Sequence, residues 1–191
     1  MKLIMTAVII AFFSSSCSKE HSVPPVPHPV MHYKNLQNAA VSYSHPAFID
    51  VDDDGVNDFS FGVILVGDPL LQRDRLQFLA NSKVNTLLLN NEQDQSPVLN
   101  KNDSVAVVNP GYQWFEISSI VLAEKITTMT GFSWEGLWIT AAHKYLPVQL
   151  KKGEQFYNGW IELSFDTANE KLILHRAAIS TERAKTIKAG F

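Results

Sequence analysis

In the run Phe59-Ser60-Phe61-Gly62-Val63-Ile64-Leu65, apolar side chains recur at every second position. A strand points successive residues to opposite faces, so Phe59, Phe61, Val63 and Leu65 share one side and the spacing argues for β-structure. Ile161, Leu163 and Phe165 repeat the pattern, with Glu162, Ser164 and Asp166 on the other face. Further strands are expected at Val84 to Leu89, Ser104 to Val108, Trp114 to Leu122, Leu137 to Thr140, Tyr145 to Leu150 and Lys171 to Ile179. Asp74 to Ala80 fits a strand or a helical turn. Pro69, Pro97, Pro110, Gly111, Gly131 and Gly153 punctuate the series, and Lys151 to Glu154 and Asp166 to Glu170 read as hairpin turns. About eight short strands at this spacing predict an all-β domain, a β-sandwich or jelly roll.

The chain has one cysteine, Cys17, and it ends a hydrophobic leader. Lys2 supplies a positive start, Leu3 to Phe13 an apolar stretch too short for a ~30 Å hydrocarbon core, and Ser14 to Ser16 the small residues a signal peptidase tolerates. Residues 1–16 are therefore expected to be a removable signal. The site resembles a bacterial lipobox, with Ser14 where such boxes usually carry Leu; the resemblance implies lipidation of Cys17 and a membrane anchor. Ser18 does not match the Asp that signals inner-membrane retention, so the expected address is the cell envelope, at the outer membrane. Residues 17–32 include Pro24, Pro25, Pro27 and Pro29 and read as a semi-rigid tether of ~3 Å per residue. His21, His28 and His32 in this stretch read as solvated rather than metal-bound.

With the signal removed, 175 of the 191 residues remain, enough for this linker and one domain over 33–191. The mature balance of 15 Lys and Arg against 19 Asp and Glu is mildly acidic and gives no electrostatic reason to expect nucleic acid. An acylated Cys17 leaves no thiol for a disulfide, so the exported domain must rely on its core, helped at most by a metal.

The segment Asp50-Val51-Asp52-Asp53-Asp54-Gly55-Val56-Asn57-Asp58 supplies such a metal candidate. Ca²⁺ takes six to eight hard oxygen ligands, and Asp at positions 1, 3 and 5 with Gly at 6 wraps a chain around one ion. In that register Asp50, Asp52 and Asp54 give carboxylates, Val56 its carbonyl, and Asp58 binds directly or through water, while Asp53 points outward. Position 12 is Phe61 rather than a bidentate Glu, and the flanks alternate like strands. The loop thus departs from an EF-hand, and weak binding in the ~10⁻⁴ to 10⁻³ M range is expected. Without a cation, five neighbouring carboxylates should leave the turn strained or mobile.

From this loop onward the chain resembles a group of exported bacterial β-proteins of unassigned function. The matching elements are Asp50 to Phe61, the turn Leu99-Asn100-Lys101-Asn102-Asp103, the segment Tyr157-Asn158-Gly159-Trp160-Ile161, Leu172 to Ala178, and Lys188-Ala189-Gly190. Asn102 replaces a glycine of the group's pattern, and Asn158 is inserted between Tyr157 and Gly159. The resemblance implies a β fold and the metal loop, and brings no catalytic residue.

Catalytic patterns are thin. Gly131-Phe132-Ser133-Trp134-Glu135-Gly136 has one residue too many for a nucleophile elbow, and His143 and His175 lack partners at zinc-ligand spacing. Glu116, Glu135, Glu154 and Glu162 could pair as in a glycosidase only if the fold sets their separation suitably. Aromatic faces stack on sugars but usually fill cores. Trp160 is expected in the core, whereas Trp134 and Trp138, in a Gly-flanked segment, are the candidates for exposed ligand-binding aromatics. The reading is a non-catalytic binding or surface-structural module, with a carbohydrate-binding module or a carboxylate-dependent glycan hydrolase as alternatives and a glycan or surface protein as partner.

Overall fold

The computed structural model describes residues 28–191, so the signal segment 1–16, Cys17 and the linker up to residue 27 lie outside the described residues. The described chain contains thirteen strands and no helix. In order they are β1 (Met31–Val41), β2 (Ala47–Ile49), β3 (Phe59–Asp68), β4 (Arg73–Ser82), β5 (Thr86–Asn90), β6 (Ser104–Val105), β7 (Gln113–Glu116), β8 (Ser119–Thr128), β9 (Gly131–Glu135), β10 (Lys144–Lys152), β11 (Gln155–Asp166), β12 (Lys171–Ser180) and β13 (Ile187–Lys188). They form a β-sandwich of two antiparallel sheets. One has the order β1-β12-β11-β10-β5-β7, the other β2-β3-β4-β8-β9, and β13-β6 make a separate ribbon.

Alternation builds the core. Leu146, Val148 and Leu150 of β10, Ile161, Leu163 and Phe165 of β11, and Leu172 and Leu174 of β12 face Phe59, Phe61, Phe78, Ile120 and Leu122 of the opposing sheet in one buried cluster. At ~25 cal/mol per Å² of apolar surface, each such side chain contributes about 1.5–3 kcal/mol when fully buried. The β3 alternation runs out at its far end, where Leu65 is 58% exposed beyond the cover of the other sheet. Both expected hairpins form, with Lys152 opposite Gln155 and Asp166 opposite Lys171.

A second buried cluster lies on the other side of the first sheet. Trp160, Tyr145 and Ala178 pack there with Val105, Ile187 and Ala189, so the β13-β6 ribbon and the C-terminal segment cover what would otherwise be an exposed apolar face. Trp160 is fully buried as expected, and its indole N–H donates to the Phe191 carbonyl at 3.0 Å. Gly159, on the core face beside Val148 and Ile179, sits against the neighbouring strand: a Cβ there would stand 2.5 Å from the Ala178 carbonyl oxygen. Asn158 is buried as a clamp, accepting from Gln149 Nε2 and donating to the Lys185 carbonyl, both at 2.7 Å. Asn102 takes a left-handed φ of 77°, a conformation Asn tolerates, and its N–H donates to the Ala189 carbonyl.

Several expectations need correction. Trp114 to Leu122 is two strands, β7 and β8, in different sheets; Ile117 at φ 53° breaks the run, and the Ser118 carbonyl accepts from the Ser82 N–H at the crossing. Leu137 to Thr140 is a turn rather than a strand, and the Ser104 strand ends at Val105. Asp74 to Ala80 lies inside β4. Strand β1 begins at Met31, two residues inside the segment read as linker. Glu162, expected on a polar outer face, is only 5% exposed because His143 and Arg176 close over it.

Candidate functional site

The Asp50–Asp58 loop joins β2 to β3 at one end of the sandwich, where a hydrogen bond from the Asp58 N–H to the Ile49 carbonyl closes its base at 2.7 Å. Gly55 has φ 88°, which suits a residue without Cβ, and its N–H donates to Asp50 Oδ2 at 3.0 Å. Asp58 Oδ2 accepts from the Val51 N–H at 2.7 Å, so the chain curls back on its own start.

This curl gathers carboxylates. Asp50, Asp52 and Asp58 each offer an oxygen within 4.8 Å of the others, a spacing that could hold a metal ion. Asp50 Oδ1 and Asp52 Oδ1 are buried without a hydrogen-bond partner. A buried polar atom left unpartnered costs on the order of 1–3 kcal/mol, more when charged, and a cation would remove that cost. Burial, reinforced by Asp52, Asp50 and Asp54, raises the Asp58 carboxyl to about 6 despite the Val51 hydrogen bond. A cleft of about 640 Å³ beside Asp52, Asp54 and Asp58 gives access from solvent.

Asp54 Oδ1 accepts from the Val56 N–H at 2.8 Å and is outside the three-carboxylate group. Asp53, expected to point to solvent, is half-exposed but paired: its oxygens lie 2.5 Å from Lys34 Nζ and 2.8 Å from His32 Nε2. These two hydrogen bonds hold its carboxyl below the usual range. His32, read as solvated, is therefore a partner of the loop. Lys152 Nζ sits 2.5 Å from Asp52 Oδ2, and Lys34 Nζ reaches within 4.0 Å of Asp50. The Asp53 and Asp52 hydrogen bonds raise the pKa of Lys34 and Lys152, respectively. Cations from β1 and β10 thus offset the loop's charge, which the isolated motif does not reveal.

The tryptophan expectation is overturned for Trp138, which is 1% exposed in the main core and donates its indole N–H to the Ser96 carbonyl at 3.3 Å. Trp134 is half-buried, its ring 5.2 Å from Phe165 and 6.0 Å from Phe78. The glycine-flanked segment turns both indoles inward because β9 pairs with β8 at the edge of the second sheet and the following turn folds under it.

A polar network on the outer face of the first sheet escaped the sequence reading. Glu162 links His143 Nδ1, at 2.8 Å, with Arg176, and the stacked rings of His143 and His175 have centroids 4.2 Å apart. Burial opposes ionisation of Glu162, but hydrogen bonds from Arg176 and His143 hold its pKa below the ordinary value. His175 Nδ1 donates to Asn38 Oδ1 at 2.7 Å, leaving Nε2 to accept from the Ser164 hydroxyl at 2.8 Å. Burial, then the neighbouring His143, lowers the His175 pKa. Ser164 Oγ also accepts the His143 N–H at 2.9 Å, which ties the hydroxyl into the sheet surface.

No protein-family model, curated protein or solved structure matches this chain.

Proposed function

We propose that this protein is a lipid-anchored component of the bacterial cell envelope, held at the outer membrane through Cys17, whose β-sandwich is stabilised by calcium and acts as a non-catalytic binding or surface-structural module. The observation that carries the calcium part is the convergence of Asp50, Asp52 and Asp58, with two buried carboxylate oxygens lacking protein partners. Hard oxygen donors suit Ca²⁺ over softer transition metals. Asp54 and the Val56 carbonyl are further ligands in this reading, and water completes the shell. The anchor part rests on the hydrophobic leader that ends at Cys17 and on the proline-rich segment after it. Nucleic acid is not a partner in this reading, given the acidic balance.

Calorimetric titration of the full chain, purified in detergent, tests the calcium reading. One calcium site is expected in wild type and none in Asp50→Ala; equal binding by both proteins would contradict it. For the anchor, metabolic labelling with a fatty-acid analogue should mark wild type, and a Cys17→Ser protein labelled just as strongly would exclude Cys17 as the lipid site.

A further inference from the structure

Strand β7 ends the larger sheet, and its inner face is not fully covered. In the β5–β7 pairing, Leu88 stands opposite Phe115 and Asn90 opposite Gln113. Directly opposed residues of an antiparallel pair share a face, so Phe115 and Gln113 lie on the same side as Leu88. Leu88 is fully buried in the core, yet Phe115 is 41% exposed. The core-side face therefore continues past the opposing sheet as an open shelf.

Two loops wall this shelf into a cleft of about 470 Å³, within the usual range for small-molecule sites. Both are pre-formed. Asn91 Oδ1 accepts the N–H groups of Gln93 and Gln95, at 3.0 and 2.9 Å. The second loop is closed by Asn109, whose side chain donates to the Ala106 carbonyl at 2.7 Å and whose backbone carbonyl accepts from the Tyr112 N–H.

The lining has a definite chemistry. Gln113 presents an amide that can donate and accept, Glu92 adds a carboxylate, and Tyr112 and Phe115 supply aromatic surface, while the Asn91 amide is taken up within its own loop. None of the lining residues is basic, so the cleft does not suit a phosphate or carboxylate ligand. Asn90 is 1% exposed; its amide nitrogen donates to Ser118 Oγ at 2.8 Å, while Oδ1 has no protein partner. A purely apolar ligand would leave such groups unpaired. A pyranose ring meets both requirements, with hydroxyls for the amides and a C–H face for the aromatic rings.

We infer that the cleft between β5 and β7 binds a neutral oligosaccharide, with Phe115 and Tyr112 as stacking surfaces and Gln113 and Glu92 as hydroxyl partners. This names a ligand for the binding module proposed above and rests on that reading, but it requires neither the lipid anchor nor the cation loop.

An array of immobilised neutral oligosaccharides, comprising glucans, mannans, xylans and chitin fragments, should be probed with the full chain in detergent. Wild type should bind one structural group, and Phe115→Ala and Tyr112→Ala should each weaken that binding by roughly tenfold or more. Phe132→Ala, an exposed aromatic on the other sheet, and EDTA treatment should leave it within about twofold. No binding to any array member, or binding that both cleft variants retain, would overturn the inference. A failed array with an intact calcium response would reject this inference alone, whereas sugar binding without a calcium response would reject only the calcium reading.

Discussion

The Asp52 side chain is 9% exposed and rests against the Lys152 ammonium. Lys152→Met should therefore lower the stability of the metal-free protein by about 1 kcal/mol, since a carboxylate loses its partner, while enlarging the thermal shift on adding calcium. Melting curves with EDTA and with calcium measure both effects; an unchanged calcium response would show that the ammonium and the ion do not compete. The Asp50-x-Asp52-x-Asp54-Gly55 spacing was legible as an oxygen-donor loop, and Asp50, Asp52 and Asp58 do converge. Lys34 and Lys152 were not legible as its counter-charges, because only the topology brings β1 and β10 beside it. Asp58 adds a pH dependence. Its folded pKa of about 6 lies above the ordinary carboxylate value, so below about pH 6 the metal-free native state holds a proton that calcium must displace. The stability gained from that proton is complete below the unfolded value and is lost as pH rises through 6. Calcium affinity should accordingly fall between pH 7.5 and pH 5, and Asp58→Asn should remove that slope together with most of the binding, as read by calorimetry at both pH values.

Among the elements, those with clean alternation were legible, and those with local irregularity were not. The β10, β11 and β12 run was visible from Tyr145 to Ile179 because its core positions recur at period two. Strand β1 was missed: its register shifts between Asn35 and Ala39, with Gln37 and Asn38 at positive φ, and the bulge destroys the alternation. The break at Ile117 was equally invisible, because an isoleucine in a left-handed conformation contradicts its own local preference and is held there by the crossing between sheets. The tryptophans show the same limit, since only the turn after β9 reveals that Trp138 enters the core. A close backbone contact gives a test at this scale. Gly159→Ala would drive a Cβ against the Ala178 carbonyl at one end of the β11–β12 ladder, where β11 is also held on its other side by the Gly159–Val148 pairing with β10. It should cost about 1–3 kcal/mol in urea unfolding, the range of overpacked cores. A change below about 0.5 kcal/mol would mean that the two strands separate more easily than their packing indicates.

For the molecule as a whole, the two sheets bring together residues from both ends of the described chain, and the calcium reading makes one end of the sandwich depend on an ion. The loop links β2 to β3 of one sheet and is braced through Lys34 and Lys152 by β1 and β10 of the other, so its charge is balanced across the two sheets. The all-β class was legible from alternation and turn residues; the number of strands and their distribution between sheets were not, because pairing is set by contacts distant in sequence. The most direct test is the melting temperature of the full chain with calcium and with EDTA. A ligand bound only by the native state adds RT ln(1 + [L]/Kd), so calcium at ten times Kd should stabilise by about 1.4 kcal/mol and raise the melting temperature by a few degrees. Asp50→Ala and Asp52→Ala should abolish the shift, and Asp53→Ala should retain it. A wild-type protein that melts at the same temperature in calcium and in EDTA would contradict the account, as would an Asp53→Ala protein that loses the response while Asp52→Ala keeps it.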